Sequence, residues 1–334
     1  MQLTDKQKIQ YIRKAVRAEG DAIRERHPIL AHKNLMAMII FIFSVLAVVL
    51  TGYAYLQQWI PAYVCIVVVA ICTSFLHELE HDLIHWMYFK KSPLIHHFML
   101  LVGWILRPGT INPWVRRNLH FEHHKLSGTP EDIEERGIGN GLKIGPLRLI
   151  VMLDTLTGGV IRALVQKVGF EKIESAVLTI LAHAPFAVIT VVLWYGFLGF
   201  HLANIFELGI HWQGSTIEFM HTIEPLIVIL IAPFYVRSFC LNLISSNMHY
   251  YGNVTSVMRQ TQVLNHPILW PLQLFCFNFG ATHAIHHFVV AEPFYIRQLT
   301  AKKAHKVMKL YGVRFNDFSS MMHGNVYSLS KSEV

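Results

Sequence analysis

Residues 34–76 contain no charged side chain. A single helix needs only about 20 apolar residues to cross the hydrocarbon layer of a membrane, so this stretch holds two spans. They are expected at about 35–56 and 60–80, with Gln57, Gln58, Trp59 and Pro61 marking the turn between them. A second uncharged stretch, from Ser175 to Phe206, gives a third span at about 176–199. A fourth is expected at about 220–244, with Arg237 inside it. Composition agrees: 15% of the residues are charged, where an ordinary soluble domain carries about 25%.

The formal net charge of +8 invites a nucleic-acid reading, but the placement of the charges argues against one. All 29 Lys and Arg residues fall in three blocks: 1–33, 90–173 and 237–334. With four spans these blocks share one side of the membrane, and the positive-inside rule makes that side cytoplasmic. The opposite loops, 57–60 and 200–219, carry Glu207 and Glu218 but no Lys or Arg. The expected fold is an all-α integral membrane protein: four transmembrane helices in two hairpins, with a cytoplasmic helical cap and both termini cytoplasmic. Its expected parts are a basic interfacial helix at 1–33, a membrane domain at 34–311 and a loosely ordered tail at 312–334. Cys65, Cys72, Cys240 and Cys276 stand singly in apolar surroundings and read as small core hydrophobes.

The chain has 21 histidines, as many as Asp and Glu together. Three clusters stand out: His77 and His81 in "HELEH", His120, His123 and His124 in "HFEHH", and His283, His286 and His287 in "HAIHH". On a helix, positions i, i+3 and i+4 share a face, so each cluster presents its imidazoles in one direction, as chelation requires. The span assignment puts all three on the same side of the membrane. Eight imidazoles exceed the needs of one zinc ion, which takes about four ligands, and suit two first-row metals such as iron. His249 in "SSNMHYYG" is a ninth candidate at the end of span four. Histidines outside these groups, such as His183 and His201, read as ordinary interfacial residues.

The three boxes, in this order and spacing, resemble those of the integral-membrane fatty acid desaturases and their relatives, the alkane hydroxylases. "HELEH", "TPED" at 129–132 and "HYYG" look like the hydroxylase branch, whereas "HFEHH" and "HAIHH" have the desaturase spacing. The resemblance implies a non-haem diiron site, with O2 as co-substrate, acting on the C–H bonds of a long acyl or alkyl chain. It implies metal ligands at His77, His81, His120, His123, His124, His249, His283, His286 and His287. No catalytic residue is expected beyond these ligands. Glu78, Glu80, Asp82, Glu122 and Asn247 are candidates to stand behind them, holding the rings by hydrogen bonds. His85, which continues the 77–81–85 face, is either a ligand or, the favoured place, behind the ligands. Arg237 reads as a side chain snorkelling to the interface or pairing a substrate headgroup.

Within this class a desaturase is favoured over an alkane or fatty acid hydroxylase and over a decarboxylase that leaves a terminal alkene. Without an HPGG motif or a CxxC pair, electrons must come from a separate ferredoxin, rubredoxin or cytochrome b5 type of protein. A bacterial inner membrane is favoured over endoplasmic reticulum. A metal transporter is the rival from another class, but it would need histidines at mid-span depth on several helices, and span one has none.

Overall fold

A computed structural model describes residues 3–252, 254 and 256–327. The fold is all-α, with no strand among the described residues. Four helices there are long and apolar enough to cross a membrane: Lys33–Leu56, Ala62–Ile84, Phe186–Ile205 and Gly214–Met248.

The first span buries a stripe of Ala37, Phe41, Ser44, Val48 and Gly52, spaced three or four residues apart. Its other faces carry exposed Leu46, Val49 and Leu50. A helix apolar all round but buried on one stripe has hydrocarbon as its remaining solvent. At Gly52 a Cβ would lie 3.0 Å from Ile229 Cγ2, so the missing side chain lets the first and fourth spans approach. The second span differs: from Leu76 to Ile84 every residue is buried. That end sits inside protein, and it carries the first histidine box.

One proline moves a span boundary from its expected place, and a second loosens a span without ending it. Residues 176–183 do not belong to the third span but end a separate helix, Phe170–His183. Pro185 explains the break, since it has no N–H to donate and disfavours helical backbone at Ala184. The span itself is Phe186–Ile205. In the fourth span Pro225 is tolerated, and the helix loosens just beyond it into a π-type stretch, Ile227–Ile231. This span packs on the third through a Trp194–Tyr235 stack with ring centroids 4.7 Å apart. At 35 residues it is about 50 Å long, more than a bilayer core requires, so its far end reaches out of the apolar zone.

Shorter helices gather around the buried ends of the second and fourth spans. Pro93–Ile105, Pro113–Leu126, Phe279–Phe288 and Phe294–Leu310 do most of the work of positioning the site. The N-terminal helix Asp5–Arg26 starts at a Thr4/Gln7 capping box and buries Ile12, Val16 and Ile23. It is tied to the site region by Arg13 Nε, which donates to the Phe288 carbonyl at 2.8 Å, and by ion pairs from Arg24 to Glu292 and from Lys303 to Glu19.

The tail corrects one expectation. Residues up to Tyr327 fold back: the Tyr251 N–H donates to the Asn325 carbonyl at 2.7 Å, and the Tyr327 N–H to the Tyr251 carbonyl at 2.8 Å. Asn325 is fully buried. The polar composition that suggested loose order is used to satisfy buried partners. Residues 328–334, also expected to be loosely ordered, lie outside the described residues.

Candidate metal centre

Each histidine cluster rides on an element whose local sequence fixes it. Asn112 caps the Pro113–Leu126 helix by accepting from the Trp114 and Val115 N–H groups, with Pro113 at the first helical position. That helix then presents His120, His123 and His124. The helix Phe279–Phe288 follows Asn278, whose φ of 56° suits asparagine, and it is buried along its whole length. His249 ends the fourth span in extended backbone, held by Tyr250 N–H to Gln260 O at 2.9 Å and by Asn140 Nδ2 donating to its own carbonyl at 2.7 Å.

These elements bring eight histidines into two adjoining sets of four. His81, His85, His120 and His286 form one; His123, His249, His283 and His287 form the other. Within each set the ring nitrogens lie within 4.8 Å of one another. The sets touch through stacked His120 and His123, with centroids 5.5 Å apart, and through His81 and His283 at 5.6 Å. Two expected ligands stand outside the sets. His124 lies beside the first, its Nε2 3.2 Å from His120 Nε2 and 3.0 Å from His286 Nε2. His77 packs on Phe279 and leaves Nε2 unpartnered.

His85, expected behind the ligands, instead completes the first set. It caps the second span one turn beyond His81, and its Nε2 faces His120 Nε2 at 3.0 Å. The 77–81–85 spacing was the available clue.

The carboxylates behind the rings also depart from expectation. Glu122 is exposed and pairs with Lys125, because its helix position faces away from the boxes. Asn247 touches no ligand and accepts from Arg148 at 2.7 Å instead. Glu78 reaches the site only through Arg297, which donates to Glu78 at 3.3 Å, to Asp82 at 3.1 Å and to His286 Nδ1 at 2.5 Å. The direct contacts come from a segment that sequence reasoning did not assign a role. Asp132 Oδ2 holds His123 Nδ1 at 2.8 Å, and Glu134 Oε2 holds His120 Nδ1 at 2.7 Å. Asp132 is the last residue of the "TPED" segment, which was the only hint.

These contacts make a fit test possible. A carboxylate at Nδ1 keeps the ring proton there and leaves Nε2 as a bare lone pair. His120 Nε2 then confronts the Nε2 atoms of His85 and His124. His81 Nδ1 and Nε2, His123 Nε2, His249 Nε2 and His283 Nδ1 are buried without any hydrogen bond. Burial holds His249, His283, His286 and His287 well below the ordinary imidazole range, so their rings are neutral. At His123 burial is outweighed by the Asp132 hydrogen bond and charge, which push it up to about 9, so its Nε2 carries a proton unless a cation takes that proton's place. Buried lone pairs facing each other without donors are unfavourable unless a cation lies among them. Each set of four fits one metal ion.

Asp132→Ala is expected to lower metal affinity and turnover about 10–100-fold, the usual effect of removing the group behind a ligating histidine. Metal content of the purified variant checks it; an unchanged value would show the contact to be incidental.

The geometry defines a class: an all-α membrane protein with two adjoining sets of histidines, each able to hold a metal ion, at the buried end of its spans. The fatty acid desaturase family model matches residues 57–319, and the chain belongs to that family of membrane desaturases and hydroxylases. It is an integral membrane protein of an oxidoreductase family. No curated protein matches the chain.

Proposed function

We propose that the protein is a diiron desaturase of long acyl chains. The observation that carries this reading is the convergence of eight histidines, seven of them buried, in two sets with unpartnered ring nitrogens facing one another. The chemistry supplied by two bound iron ions is reduction of O2 with two electrons and two protons while two hydrogens leave adjacent chain carbons, giving a double bond and two waters. The chain's own part is positional. Asp132 and Glu134 hold His123 and His120 in one tautomer and orientation, Arg297 holds His286, and the buried end of the second span keeps water from the rings. The HxxHH spacing of both later boxes supports desaturation. Hydroxylation is the second reading, supported by the contact of Asp132 in "TPED" with His123.

In this reading the spans form two hairpins, and the histidine layer with both termini faces the cytoplasm, where a separate redox protein delivers electrons. Profiling lipids and hydrocarbons by mass spectrometry tests it, in cells expressing the chain or His123→Ala with a broad redox partner supplied. A product lacking two hydrogens, absent with His123→Ala, is expected. A gain of one oxygen would replace desaturation by hydroxylation, and zinc in place of iron in the purified protein would end the diiron reading.

A further inference from the structure

Arg237 does not snorkel to the interface. It is 1% exposed, and beside it Gly109 packs so tightly on the Phe234 ring that no Cβ would fit. A guanidinium closed in this way is out of reach of a lipid headgroup. Open positive charge lies elsewhere, where the first span begins. A cleft of about 570 Å³ is found there, within the range of about 300–1,000 Å³ usual for small-molecule sites. One wall is the start of the span Lys33–Leu56, and the other is the segment that leads into the Pro93–Ile105 helix. The Phe89 N–H ties the two walls together by donating to Asn34 Oδ1 at 2.9 Å.

No carboxylate lines this cleft, whereas Lys33 stands on one wall and Lys90 and Lys91 on the other. Among the described residues the lysines that pair with carboxylates are Lys125, Lys167 and Lys303, none of them here. Asp82, whose charge Lys33 feels from behind the wall, is wholly buried and already paired with Arg297. The two flanking helices also begin here without side-chain caps, at His32 and Ser92, so the free N–H groups of their first turns add to the positive field. The rest of the lining is apolar and includes Leu35, Met87 and Phe89. Below it the Pro93–Ile105 helix is apolar but at 13 residues too short to cross a bilayer. That helix exposes Leu94 and Phe98, and Phe98 meets Phe41 of the first span with ring centroids 6.2 Å apart. Charge above and hydrocarbon-facing surface below place the cleft at the boundary of the membrane.

We propose that this cleft binds the phosphate of an anionic phospholipid such as phosphatidylglycerol, with the acyl chains lying on the apolar surface beside the first span. Basic pockets between membrane helices at the bilayer edge suit phosphate headgroups. A phosphate diester with no cation of its own matches three ammonium groups that lack a counter-charge. Phosphatidylcholine brings a trimethylammonium group that they repel. A phosphate ester without chains would meet the lysines but leave the apolar part of the lining and the surface below it uncovered. The site is separate from the metal centre, since no residue of the cleft belongs to either histidine set. It needs only that the chain sits in a bilayer and holds whatever reaction the metal centre performs.

The test is native mass spectrometry of the purified full chain, equilibrated in detergent with equal amounts of dioleoyl phosphatidylglycerol and dioleoyl phosphatidylcholine. Phosphatidylglycerol should be retained at least about tenfold over phosphatidylcholine. Lys90→Gln/Lys91→Gln should remove that preference, and Lys33→Gln on the other wall should lower it about fivefold. Lys302→Gln/Lys306→Gln, an equal loss of charge from exposed positions on the Phe294–Leu310 helix, should leave it unchanged. Glycerophosphoglycerol, the same headgroup without chains, should not displace the lipid at equal concentration. Equal retention of both lipids by the wild type overturns the proposal, as does a preference that survives Lys90→Gln/Lys91→Gln or Lys33→Gln. A preference lost equally from Lys302→Gln/Lys306→Gln also overturns it, by showing a general attraction to a basic protein. Displacement by glycerophosphoglycerol would assign the cleft to soluble phosphate esters and end the lipid reading.

Discussion

A His85→Ala chain is expected to lose one of its two metal ions and to fall to background turnover while remaining folded in the membrane. The ring stands at the open edge of the first set, within reach of His81, His120 and His286. Three remaining imidazoles hold a first-row metal poorly when a fourth position opens to water. The backbone has little reason to move: His85 caps the second span through its N–H to Leu83, a bond that alanine keeps. His249→Ala should act in the same way on the second set, where its ring lies 4.8 Å from His123 and 5.1 Å from His287. Iron quantified per chain, with activity on the same preparation, checks both. A His85→Ala protein with its full iron content and normal turnover would remove His85 from the ligand set and return that place to His77 or His124.

Arg297→Leu should destabilise the protein by about 3–5 kcal/mol, the penalty for stripping the counter-charge from buried carboxylates. Arg297, Glu78 and Asp82 are all essentially inaccessible to water. The guanidinium serves both carboxylates and also donates to His286 Nδ1. Asp82 keeps Tyr88 Oη at 2.7 Å and the Phe294 N–H at 2.8 Å when the arginine is gone. Glu78 keeps nothing, because its other oxygen already lacks a partner. Thermal unfolding in detergent measures the loss. Adding Glu78→Gln and Asp82→Asn to Arg297→Leu should recover most of it, since the three charges act as one unit. A single variant as stable as wild type would show that the charges are compensated elsewhere.

Much of this was legible in the residues. The charge-free run 34–76, the three basic blocks and the three histidine boxes follow from periodicity and transfer energetics, which act along the chain. They led to the four spans and to six of the eight histidines in the two sets. His249 was reachable because it ends a span that otherwise carries no ligand. Harder were the consequences of one proline: Pro185 divides an uncharged stretch that hydropathy treats as uniform.

What the sequence alone determined is the solvent and the clustering of its histidines: an α-helical chain in lipid whose grouped imidazoles could hold metal. Which residues stand behind the rings was settled in three dimensions. Asp132 is 9 residues from His123 along the chain, and Arg297 is 11 from His286 and 215 from Asp82. Glu122, adjacent in sequence to His123, faces solvent. Spacing along one helix says which side chains share its face, because helical geometry repeats. It says nothing about which second element packs against that face. The partners of a buried charge, such as Glu78 for Arg297, depend on that packing.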